Sequence, residues 1–140
     1  MTDRETVRLR LDKLRHYQKQ LQGYRRLPWH VFKNEETIQS AVQYCFVLSI
    51  QCCLDIGEHI IASQSLRLPG DNRDVFRVLG EARVLSKALS NTLMAAAGFR
   101  NLLVQDYMRV DLSKVYGHLK NDLRHFSSFT RAVSRYIQKH

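Results

Sequence analysis

Glycine and proline are scarce in this chain, six and two among 140 residues. An all-β fold needs many turns built on those residues, so that class is nearly excluded. Internal repeats and low-complexity tracts are absent, which speaks against solenoids and linker-like segments. Cysteines number three, Cys45, Cys52 and Cys53, with no C-x-x-C spacing. An odd count without that spacing argues against a disulfide or zinc frame. All three lie in an apolar segment and read as reduced core residues of a cytosolic protein. No apolar leader opens the chain: MTDRETVRLRLDKLR is charged throughout. No signal peptide is therefore expected, and the expected location is cytoplasmic.

Acidic residues are also in short supply, 13 against 22 Lys and Arg, a net charge of +9. The imbalance is uneven. Residues 1–34 carry a net +6, residues 35–98 a net −2 and residues 99–140 a net +5. Basic ends around a neutral middle suit phosphate backbones or an acidic partner, and equally a solvated surface. Hydrophobic residues make up 44%, enough for a packed core, and the length fits one domain over residues 1–140. Thr37 to Leu54 contains no charged residue and approaches the length of a membrane span. Its Thr37, Gln39, Ser40, Gln43, Ser49 and Gln51 would be costly in lipid, so a helix buried by protein is the expectation.

The apolar spacing predicts five helical segments. Val7, Leu11, Leu14, Tyr17 and Leu21 mark a helix from Asp3 to Gln22, with Gly23 as its cap. A long second helix is expected from Asn34, its N-cap, to Gln64. A short one follows from Asn72 to Leu79, ended by Gly80. A fourth spans Glu81 to Tyr107, and a fifth, capped by Asp111, spans Leu112 to Lys139. Short connections predict an antiparallel all-α helical bundle. The second and fourth helices carry more apolar surface than one bundle needs. Ala88 to Phe99 has no charge and includes small residues, which predicts a homodimer closed on the fourth helix.

The segment Gly98-Phe99-Arg100-Asn101-Leu102-Leu103-Val104-Gln105-Asp106-Tyr107-Met108-Arg109-Val110-Asp111 carries the chemistry. Asn101 and Gln105 are four apart and share a helix face. Arg100 can hold a phosphate by paired hydrogen bonds. On periodicity alone the same residues also fit the polar edge of an amphipathic helix. The segment resembles the signature of HepT toxins, a branch of the HEPN ribonucleases: Arg, four residues, His, one residue, Tyr. Arg100, Asn101, Tyr107 and Asp111 fall in place, and Gln105 stands where the family has histidine. AVQYCFVLSIQCCLDIGEHIIA is similar to the family's long second helix, with Asp55 where an Asp is usual. LPGDNRDVFRVLGEARVLSKAL and LSKVYGHLKNDLRHF are similar to its loop with short helix and to its last helix.

The resemblance implies a HEPN-like fold and metal-independent RNA cleavage in a cleft between two subunits. It assigns Arg100 to phosphate charge, Asn101 to positioning and position 105 to proton transfer. It implies no cofactor. It also implies a partner, an MntA-type nucleotidyltransferase antitoxin that transfers AMP to Tyr107. Glutamine keeps the hydrogen bonding of histidine but cannot titrate near neutral pH, so Gln105 should impair this chain. Such an exchange would silence a toxin, whether introduced or natural. The alternative reading is a non-catalytic helical subunit that docks a nucleotidyltransferase or nucleic acid.

Other groupings are weaker. Asp55 and His59 are four apart and could form an auxiliary acid–base pair, or simply an intrahelical polar pair. His118, Asp122 and His125 share a face and could bind a metal, but no fourth ligand accompanies them, so no metal site is expected. Tyr24 and Trp29 beside Arg25 and Arg26 could stack on a base or pack on the core. Tyr17, Tyr44 and Tyr116 sit at apolar helix positions and are expected to be packed.

Overall fold

The computed structural model describes residues 3–140, and among them every regular element is helical. The elements are α1 (Asp3–Tyr24), α2 (Trp29–Phe32), α3 (Glu36–Ser63), α4 (Asn72–Glu81), α5 (Lys87–Gln105), a 3₁₀ turn (Tyr107–Arg109), α6 (Leu112–Asn121) and α7 (Arg124–Lys139). The all-α expectation holds. The number of segments does not, because two predicted helices are broken and the first connector folds.

The breaks have identifiable causes. Gly23 lies inside α1 instead of capping it. Pro28, with φ −73° and ψ 160°, starts α2 and delivers Phe32 to the core. Asn34 is not the cap of α3: its side chain donates to the His30 carbonyl at 2.8 Å, and Glu35 holds the cap position. Gly80 lies within α4, pressed against Ser90, where a β-carbon would come within 2.6 Å of Oγ. The chain then turns through Arg83, at φ 61°, burying Val84 and Leu85 before Ser86 restarts it as α5. The Ser86 hydroxyl accepts from the Leu89 amide at 3.1 Å, satisfying a donor the helix start leaves open. The last predicted helix breaks between Asn121 and Arg124. Its apolar period (Val115, Leu119, Leu123, Phe126) runs straight through the break, so spacing could not reveal it. Asp111 caps α6 as expected, accepting from the Ser113 amide at 2.9 Å.

Side-chain pairings set the directions. Asp3 meets His59, Arg10 meets Asp55 and Gln20 meets Cys45, so α1 runs antiparallel to α3. Asn72 meets Asn101 while Gly80 meets Ser90, so α4 runs antiparallel to α5. Arg4 meets Ile137 and Gln18 meets Ser127, which brackets α7 against α1. Leu14, Phe32, Ile50, Ile56, Phe76 and Phe129 are fully buried between them. Burying each such side chain stabilises by about 1.5–3 kcal/mol. The α3 helix is long and apolar enough to cross a membrane, yet 56% of its most apolar window is buried inside the protein. All three cysteines are free; Cys45 and Cys53 are buried, and burial pushes both thiols up from their usual range.

Candidate functional site

The site grows from the C-terminal half of α5. Phe99 packs edge-on against Phe46 of α3, with ring centres 5.7 Å apart, which fixes the helix rotation at this point. The next residue, Arg100, therefore faces α3. Its Nη2 donates to Gln51 Oε1 at 2.8 Å, and its Nη1 donates to Asn101 Oδ1 at 3.2 Å. Gln51 in turn donates from Nε2 to Asp55 Oδ1 at 2.8 Å. Asp55 Oδ2 lies 3.4 Å from Arg10 Nη1. Asn101 Oδ1 also accepts from Asn72 Nδ2 at 3.2 Å. One polar chain thus joins Arg10, Asp55, Gln51, Arg100, Asn101 and Asn72 across α1, α3, α5 and α4.

The order of groups in that chain matters. The Gln51 amide accepts from the cation and donates to the carboxylate, so Asp55 orients the site without pairing directly with Arg100. Each Nη of Arg100 keeps a second hydrogen that these bonds do not use. Its Nε is buried with no hydrogen-bond partner among the described residues. A further cation is close by: the Arg73 guanidinium lies where a β-carbon on residue 98 would sit, so Gly98 is required for its approach.

Gln105 is the last residue of α5 and is exposed. Tyr107 is not in the helix, as the sequence suggested, but in the 3₁₀ turn that follows Asp106. It is 68% exposed. Of the other tyrosines, Tyr116 is held by a bond to the Leu27 carbonyl at 2.7 Å and Tyr17 is half-buried. Tyr44 departs from expectation: it is 64% exposed, because α3 buries the side carrying Val42, Cys45, Phe46 and Ser49 and turns residue 44 away.

Asp55 and His59 do not form a pair. Asp55 bonds to Gln51, whereas His59 Nε2 meets Asp3 Oδ1 at 2.8 Å, at the start of α1. His118 and His125 both flank Asp122, at 2.6 and 3.8 Å. No group of three or more His, Cys, Asp or Glu among the described residues converges as a metal site would. Trp29 packs against Phe32 and Tyr116, at 6.1 and 5.3 Å between ring centres, and stays 38% exposed, so it is pinned at the edge of the core. Sequence reasoning missed Gln51, Arg10, Asn72 and Arg73. The spacing of Gln51 and Asp55, four apart on one helix, was the one local signal available.

The model of the Ribonuclease HepT-like family matches residues 14–133. The mRNA nuclease HepT of Shewanella oneidensis is 32% identical over 102 residues, 73% of this chain and 77% of that protein. A tri-AMPylated Shewanella oneidensis HEPN toxin, solved in complex with an MNT antitoxin, superposes with a TM-score of 0.87 at 26% identity, covering 96% of this chain and 99% of its own. The cytosolic protein YutE of Bacillus subtilis shares the fold, with a TM-score of 0.87 at 23% identity over 99% of this chain and 92% of its own.

Proposed function

The chain belongs to the HepT-like ribonuclease family, and on that premise we propose that it is the RNA-directed toxin partner of an MntA-type nucleotidyltransferase antitoxin, acting in the cytoplasm as a homodimer. The observation that carries this reading is Arg100, a cation held in place by amides and, among the described residues, without a direct carboxylate contact. An RNA phosphate takes its unused N–H groups. The adjacent 2′-hydroxyl then attacks phosphorus; the P–O2′ bond forms and the P–O5′ bond breaks. One proton must leave O2′ and one must reach O5′. Arg100 stabilises the charge that develops on the phosphoryl oxygens. Asn101 anchors the segment against α4, while Gln51 and Asp55 hold Arg100. Position 105 is assigned the proton, a task histidine performs and glutamine does not. This path assigns no step to a metal or cofactor.

Support for the dimer comes from the surface beside Arg100. A largely apolar hollow of about 460 Å³ opens among α3, α5, α6 and α7, lined by Phe46, Ile50, Ala96, Phe99 and Phe126 with His118, Asp122 and His125 at its α6–α7 side. A second copy laid over it would face two Arg100 segments toward each other. Silencing follows from Tyr107. Its phenol gives its proton to a base of the transferase, the oxygen attacks the α-phosphorus of ATP, pyrophosphate leaves, and a phosphodiester remains on the side chain. That anion competes with RNA phosphate for Arg100.

Gln105 favours a second reading for the chain as it stands: a subunit that binds nucleic acid or a nucleotidyltransferase without cutting. The test is Gln105→His, compared with the parent for RNA cleavage and for growth on induction. General acid–base work predicts a gain of about 10²–10⁴-fold, with a pH dependence centred near ~6.5 that the parent lacks. Equal cleavage by both forms would remove the proton role of this position. Inactivity of both would leave the binding-subunit reading.

A further inference from the structure

We propose that the groove between α7 and the α4–α5 connection binds the sugar-phosphate backbone of RNA, a track separate from the Arg100 end of α5. The inference rests on the reading of the chain as an RNA-directed protein. Arg124, Arg131, Arg135 and Lys139 fall seven, four and four residues apart, whole turns of α7, so they line one face. The opposite face buries Phe126, Phe129 and Val133. The ladder spans about 22 Å at 1.5 Å per residue. Arg83, turned out by its left-handed backbone, supplies a fifth cation from across the groove. The hollow measures about 750 Å³, and no Asp or Glu lines it.

These cations differ from others in the molecule. Arg67 and Arg77 are tied to Asp74. By contrast, among the described residues Arg124, Arg131 and Arg135 bond to a carbonyl or hydroxyl on their own helix or just before it and pair with no carboxylate. Like charges one turn apart repel when nothing neutralises them, and a bound polyanion removes that cost. Their spread along a helix fits an extended chain of phosphates, not one small anion. Four of the five are arginine, whose planar fork suits phosphate oxygens. His140 stacks on Tyr136 at 4.1 Å and 22°, offering a flat surface for a base at the end of the ladder. Ser86, which lines the groove, begins α5, and Arg100 lies fourteen residues on, about 21 Å along the axis. Bound RNA would be gripped well away from the phosphate at which it is cut.

The test is binding of a labelled single-stranded oligoribonucleotide to the parent chain, whose Gln105 permits binding without rapid turnover. Arg131→Gln with Arg135→Gln should weaken affinity about tenfold. It should also lower the slope of log affinity against log salt by about 1.4, two phosphate contacts at roughly 0.7 each. Arg83→Gln with Lys139→Gln should act alike, and circular dichroism verifies that α7 persists in both. The same charge change elsewhere, Arg8→Gln with Lys33→Gln, should leave affinity within about twofold, because neither residue lines the groove. Three outcomes overturn the proposal: groove variants that bind RNA like the parent, equal losses in the Arg8 and Lys33 control, or groove-dependent binding of polyglutamate but not RNA. If the groove variants bind RNA normally while the Gln105→His form still cuts it, the groove falls and the nuclease reading stands. If binding depends on the groove but the Gln105→His form cuts nothing, the nuclease reading falls and the groove stands.

Discussion

At Arg100 the choice of partner has an electrostatic consequence. A carboxylate about 4 Å from the guanidinium would hold it by roughly 4 kcal/mol at the effective dielectric of a protein surface, and an RNA phosphate would compete against that. An amide fixes the same geometry without cancelling the charge. Gln51 occupies this position, with Asp55 one step behind it. At Tyr107 the deciding quantity is exposure together with location. Tyr44 is nearly as exposed, 64% against 68%, but sits within α3, whereas Tyr107 lies in a short turn that can fit a transferase pocket. Incubation with a cognate MntA-type enzyme, ATP and magnesium should therefore add AMP to Tyr107 and not to Tyr44. Peptide mapping of the product decides it; modification that persists in Tyr107→Phe would remove the assignment.

Among the elements, α4 is tied down by a cluster of ionic contacts. Arg67 grips Asp74 with two hydrogen bonds, at 2.7 and 2.9 Å, and reaches Glu81 with its other edge. Asp74 also accepts from the Gly70 amide at 2.9 Å and from Arg77 at 2.8 Å. Led by Arg67, these donors hold the Asp74 carboxyl well below its usual range, and Arg67 lowers Glu81 in the same sense. A depressed carboxylate contributes its full stability above its unfolded value of about 3.9 and loses it as pH falls below. Asp74→Asn should thus unfold at lower urea than the parent at pH 7, and the difference should shrink as pH drops from about 5 toward 2. A constant difference across that range would show that Asp74 acts by packing alone. Because Asn72 and Arg73 ride on α4, loosening it should also free Asn101 and the guanidinium beside Gly98.

For the whole molecule, the apolar hollow and the basic groove make opposite demands. Apolar surface beside Arg100 favours self-association, whereas a net charge of +9 opposes it by repulsion. The hydrophobic term is short-ranged and dominates once the faces meet, so light scattering at micromolar concentration should show a dimer, strengthened by added salt. A species of only 16.4 kDa would defeat the homodimer.

The sequence by itself determined the helical class, through scarce turn residues and apolar steps of three and four. It also determined the Asp111 cap and two free core cysteines, Cys45 and Cys53, and it singled out the Arg100–Tyr107 segment as the candidate site. All of these depend on residues a few positions apart, and such interactions are written along the chain. Only the tertiary structure decided that Gln51 holds Arg100 and that Asn72 holds Asn101, pairs 49 and 29 residues apart. It alone decided that Asp55 joins the site while His59 turns to Asp3, and that Tyr44 faces outward. The break after Asn121 was hidden because the apolar period continues through it, and near Gly80, where a boundary was expected, packing decided that the chain turns at Arg83 and restarts only at Lys87. The groove on α7 was legible only in half: its ladder follows from spacing, but Arg83 reaches it through a chain reversal that local pattern does not encode.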